Sequence, residues 1–108
     1  MDTTIILTRD DAQEVWHKLG ILEDTPDLIE HYELTREQSK QLVDSIPKKG
    51  GTWNIPSWGM NAVKAEMADH IIILRDIAAD ANSGGERGQS LRIAKQAKRF
   101  ERMFGLSD

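Results

Sequence analysis

Residues 58–81, WGMNAVKAEMADHIIILRDIAADA, decide the fold. No Pro follows Pro56 in this run and no Gly lies between Gly59 and Gly84, so nothing in its interior breaks a helical ladder. A helix over this span is about 36 Å long at 1.5 Å per residue, whereas a compact chain of this size has a radius of gyration of about 13 Å. It is therefore expected to cross the whole domain as a central, largely buried element. At 100° per residue Met60, Val63, Met67, Ile71, Leu74, Ala78 and Ala81 fall on one apolar stripe. Ala65, Ala68, Ile72 and Ala79 form a second, with Lys64 and Arg75 between the two. Two stripes predict two packing partners. The three isoleucines 71–73 also suit a strand, but the flanking alanines, Glu66, Met67 and Arg75 are helix formers and no turn residue bounds the run.

Toward the N-terminus, Ile5 to Leu7 can form an extended arm or edge strand. Thr8 then caps a helix over about Arg9 to Leu19, with Asp10 and Asp11 at its positive end. Ala12, Val15, Trp16 and Leu19 give that helix one apolar stripe, Gly20 ends it, and Ile21 closes the terminus as a hydrophobic contact. Thr25-Pro26 opens a short acidic helix to about Glu33, with Thr25 as cap. Thr35 and Gln38 form a capping box for a third helix that turns Leu42, Val43 and Ile46 inward and stops before Pro47. In the loop 47–57, Gly50-Gly51 marks a turn and Thr52 to Ile55 can pair with Ile5 to Leu7. Beyond the long helix, residues 82–88 form a glycine-rich turn, and a last helix runs from about Gln89 to Phe104. It places Ile93, Ala97, Phe100 and Phe104 on one face, and Arg92, Lys95, Lys98, Arg99 and Arg102 opposite, with Leu91 at the centre of the basic face. The predicted architecture is a single mainly α domain over 1–108, a compact bundle of four to five helices around the long one, with a minor two-stranded β element.

The 108 residues allow one modest core. No cysteine is present, which excludes disulfides, thiolate nucleophiles and cysteine metal sites. The opening MDTTIILTRDD lacks a basic n-region and a long apolar run, so neither a signal peptide nor a membrane span is expected, and the expected location is the cytoplasm. The net charge of −4 hides a polarity: residues 1–46 hold 11 acids against 4 bases, and residues 86–108 hold 3 acids against 6 bases. Either the two poles compensate within the fold, or one of them is a docking surface for an oppositely charged macromolecule.

Catalytic chemistry is hard to assemble from these residues. His17, His31 and His70 lie on three different helices, and no H-E-x-x-H, P-loop or G-x-S-x-G pattern occurs. Gly84, Gly85 and Gly88 lack the upstream strand and the Lys-Ser/Thr of a phosphate loop. No catalytic residue, metal site or cofactor is expected. Two binding surfaces are. Glu23, Asp24, Asp27, Glu30, Glu33 and Glu37 form an acidic pole that can occupy a lysine- or arginine-lined groove meant for nucleic acid. Arg92, Lys95, Lys98, Arg99 and Arg102 form a basic helix that can contact phosphates, although an overall pI near 5.3 weighs against it. Trp53 either closes the core or, if exposed beside Gly50-Gly51, anchors an interface.

The stretch Ile5 to Val15, with Leu7-Thr8, Asp11-Ala12 and Val15, resembles the opening of many small phage and prophage reading frames of the form L-T-x-x-E/D-A-x-x-V. In size, acidity and lack of cysteine the chain also resembles the anti-CRISPR inhibitors carried by phages and mobile elements. That resemblance implies a non-enzymatic inhibitor that binds a bacterial CRISPR effector or nuclease complex, a protein or ribonucleoprotein of the host cell. It carries over no site residue, because the family has no shared binding set. The alternative is a small nucleic-acid-binding regulator using the basic helix. Either protein is a monomer or a homodimer seamed on the second stripe of the long helix.

Overall fold

The computed structural model describes residues 3–106. The fold is mainly helical with one two-stranded antiparallel sheet, and the chain divides into two compact units, Met1–Val63 and Lys64–Asp108.

Unit 1 begins with β1 (Thr3–Leu7) and returns to it with β2 (Gly51–Ile55). The strands pair antiparallel, with Thr3 opposite Ile55, Ile5 opposite Trp53 and Leu7 opposite Gly51. Alternation then does the sorting: Ile5, Leu7, Trp53 and Ile55 are buried, whereas Thr4, Ile6, Thr52 and Asn54 are exposed. On the outer face the Thr4 hydroxyl donates to Asn54 Oδ1 at 2.7 Å. Gly50 delivers the chain into β2 at φ 93°, where a Cβ would lie 2.9 Å from the Arg9 nitrogen. Only glycine fits that approach.

Between the strands lie α1 (Arg9–Leu19), α2 (Ile21–Asp24), α3 (Pro26–His31) and α4 (Arg36–Asp44). The predicted caps of α1 and α4 are in place. Thr8 Oγ1 accepts from the Asp11 amide at 3.2 Å, and Thr35 and Gln38 exchange both bonds of a capping box at 2.9 and 3.0 Å. Two other expectations need correction. Gly20 stays right-handed at φ −57° and leads straight into α2, so Leu22 rather than Ile21 is buried. Thr25 precedes α3 in an extended conformation but makes no side-chain cap, since Pro26 supplies the helical start through its fixed φ.

Trp53 is not an interface anchor. It is 1% exposed, and its indole N–H donates to Ser45 Oγ at 2.8 Å, while that hydroxyl donates to the Leu42 carbonyl at 2.6 Å. The strand phase that buries Ile55 buries Trp53 with it, and Ser45 removes the penalty of hiding an indole N–H. Leading out of β2, a single 3-10 turn (Ser57–Gly59) starts α5 (Met60–Ser83). Gly59 lies against Leu42 of α4, where a Cβ would sit 2.9 Å from Leu42 Cδ1.

Unit 2 is the rest of α5 with α6 (Arg87–Met103). The first apolar stripe of α5 is buried at Met67, Ile71, Leu74 and Ala78, and α6 buries Ala97 and Phe100, with Phe104 just beyond it. The helices are tied by Ser90 Oγ donating to the Ala78 carbonyl at 2.7 Å, by an Arg75–Glu101 ion pair, and by the His70 and Phe100 rings at 6.0 Å. The second stripe finds no such cover: Ala65 and Ala79 are exposed, Ala68 is half-buried and Ile72 is 60% exposed. Three of its four members are alanines, whose burial removes little surface from water. Asp69 and Asp76 lie within about 60° of Ile72 around the helix, so covering it would also dehydrate carboxylates.

Candidate functional site

The six predicted acids all reach the surface: Glu23, Asp24, Asp27, Glu30, Glu33 and Glu37 are exposed. Five of them ride on three short helices that pack on one another, α2 on α3 and α4, and α3 on α4, and Glu33 lies in the turn after α3. Buried Leu22, Ile29, Leu34 and Leu42 hold those helices from beneath. Glu23, Asp24 and Glu37 meet around a cleft of about 510 Å³ between α2 and α4, whose remaining wall is Arg36 and Lys40. A smaller cleft of about 220 Å³ on the α1 side is lined by Trp16, His17, Gly20, Glu23, Asp24 and Val43. Glu23 and Asp24 therefore face two clefts, while Asp27 and Glu30 line neither.

Glu33 is held differently from the rest. It has φ 56°, the only non-glycine residue with positive φ among those described. Its amide donates to the Glu30 carbonyl and the Leu34 amide donates to the Ile29 carbonyl, both at 3.0 Å. Those two bonds are a Schellman closure of α3, in which the left-handed position normally belongs to glycine. A side chain there costs about 1–2 kcal/mol.

The five basic residues of α6 are also exposed, and Arg87 joins them. Glu101 is the one acid within α6, and it is half-buried and paired with Arg75. The outward side of α6 thus carries six cations and no carboxylate. Arg92 to Arg102 spans about 15 Å, a length able to meet several phosphates of a nucleic-acid backbone.

Other chemistry-bearing residues are dispersed. His17 stacks near Trp16, His31 near Tyr32 and His70 near Phe100. Among the described residues, no three His, Asp or Glu side chains gather where they could hold a metal ion. Trp16 is also covered by Lys48, whose Nζ lies 4.6 Å from the ring centroid. The exposed tryptophan is Trp58, in the turn before α5. Sequence reasoning missed Arg36 and Lys40 as cations lining one cleft with Glu23, Asp24 and Glu37. Their i, i+4 spacing behind the Thr35 cap put both on one face of α4, which was a usable signal. The left-handed Glu33 left no such signal, because glycine is what marks that conformation in a sequence.

No helix among the described residues is long and apolar enough to cross a membrane. In comparisons with known proteins no family model matches the chain, and neither a curated protein nor a solved structure does.

Proposed function

We propose that this chain is a non-enzymatic binding protein that blocks a bacterial nucleoprotein target, most concretely a CRISPR effector or nuclease complex in the host cytoplasm, through the acidic helices of unit 1. The observation that carries the reading is Glu33. At the left-handed position of a helix closure the chain keeps a carboxylate where glycine would relieve strain, and it does so among five other exposed acids. Conformational strain and like-charge repulsion both oppose that arrangement. An anionic surface wanted for a cationic groove accounts for both. The cleft edged by Arg36 and Lys40 adds register, since a partner must present acids as well as bases there. The resemblance of residues 5–15 to phage proteins supplies the class of target.

The test is a pull-down and titration against purified CRISPR effector complexes at low and physiological salt. Capture that weakens with salt and is lost on combining Glu23→Gln, Asp24→Asn and Glu37→Gln supports the reading. Recovery of nothing at either salt concentration overturns it.

A second reading is favoured by one observation, the carboxylate-free outer side of α6. Here the protein binds nucleic acid directly as a small regulator. Mobility shifts abolished by Arg92→Glu, Lys95→Glu and Arg99→Glu, and untouched by the unit 1 substitutions, would favour it over the first.

A further inference from the structure

Unit 2 leaves two unlike helical faces in solvent. On α5, Ile72, Ile73 and Ile77 are 60%, 41% and 44% exposed, and Asp69, Asp76 and Asp80 are exposed among them. Arg75, the nearest cation on that helix, is committed to Glu101. On α6, Leu91 is 62% exposed and stands in line with exposed Arg87, Lys95, Lys98 and Arg102. At 100° per residue those five occupy a sector of about 80°, a single narrow stripe. The α5 face from Ile72 to Asp80 spans about 12 Å and the α6 stripe from Arg87 to Arg102 about 22 Å, so the stripe is long enough to cover the face and answers it in sign.

We propose that the α5 face of one copy is covered by the α6 face of a second copy, with Leu91 set among the exposed isoleucines and the cations against Asp76 and Asp80. The chain itself supplies the complement that its α5 face requires. A symmetric α5-to-α5 pairing is disfavoured, because it gathers the exposed Asp76 and Asp80 of both copies into one seam. Such like-charge juxtaposition across an interface costs several kcal/mol. Contact between unlike faces can close as a reciprocal dimer or continue as a chain of copies.

The experiment is light scattering of the full chain at low and high salt, with two charge-reversed variants, D76K/D80K and K95E/K98E. The wild type is expected to show a mass above that of a monomer at low salt, falling as salt rises. Each variant alone should self-associate roughly tenfold more weakly or worse, and an equimolar mixture of the two should associate again, since each then offers the sign the other lacks. That recovery also shows that both variants fold. A wild type that is monomeric at both salt concentrations overturns the proposal. So does self-association retained by K95E/K98E, which would mean that α5 meets α5. A mixture that stays monomeric overturns it too, as does an α5 face that captures a basic amphipathic peptide but no second copy.

Discussion

The ends of α5 and α6 in unit 2 and the end of α3 in unit 1 share one backbone structure built from different residues. Gly85 and Gly105 occupy the left-handed position at φ 84° and 66°, and Glu33 occupies it at φ 56°. In each case the next residue's amide reaches back to a carbonyl five residues earlier: Glu86 to Ala81 at 2.8 Å, Leu106 to Glu101 at 2.7 Å, and Leu34 to Ile29 at 3.0 Å. Glycine adopts that conformation without strain, whereas Glu33 does not. The difference separates closures that serve folding alone from one that also presents charge. It is the reason the proposed docking surface is placed on unit 1.

Four substitutions test this contrast, and equilibrium urea denaturation reads all of them. Gly50→Ala should be the most damaging, at about 2–3 kcal/mol, because it joins positive φ to a 2.9 Å approach to backbone. Gly105→Ala should lose only about 1 kcal/mol, since its Cβ would meet nothing closer than Lys64 Nζ at 3.9 Å and conformational strain acts alone. Glu33→Gly should move the other way and stabilise by about 0.5–1 kcal/mol, the relief of strain being partly offset by the freedom glycine gains when unfolded. Glu33→Asn should gain less, about 0.5 kcal/mol, because asparagine tolerates the left-handed region without being strain-free in it. Target capture gives the comparison its functional edge. Glu33→Gly is expected to be more stable yet to bind the target more weakly, and a variant that gains stability with binding intact would detach Glu33 from function.

Features set by neighbours in sequence were legible. The bonds of Thr8 and of Thr35 with Gln38 span three residues, and the pairing of β1 with β2 was one of the options open to Ile5–Leu7, although which strand faces would be buried was not read. The long helix was legible for the same reason. It was expected over 58–81 and runs over 60–83, behind a 3-10 turn at 57–59, and its buried stripe through Met67, Ile71 and Leu74 follows from periodicity. What escaped depended on remote packing. Trp53 read first as a core residue with an interface anchor as the alternative, and the Ser45 hydroxyl that receives its N–H was not foreseen. The second α5 stripe was expected to find a packing partner and stays exposed, because periodicity does not weigh alanine against isoleucine, nor register the aspartates beside Ile72. Of the candidate site, the charges and their exposure could be read in advance. The cleft between α2 and α4 could not, because it exists only once Leu22 and Leu42 have drawn those helices together.

The register that sets Thr3 against Ile55 brings the two ends of the segment 3–55 side by side. Chain enters and leaves that segment on adjacent strands, a geometry that tolerates transplantation. Residues 3–55 thus have the layout of a cassette: spliced into a surface loop of a carrier protein, they would need only a short join at each side to deliver their acidic helices there.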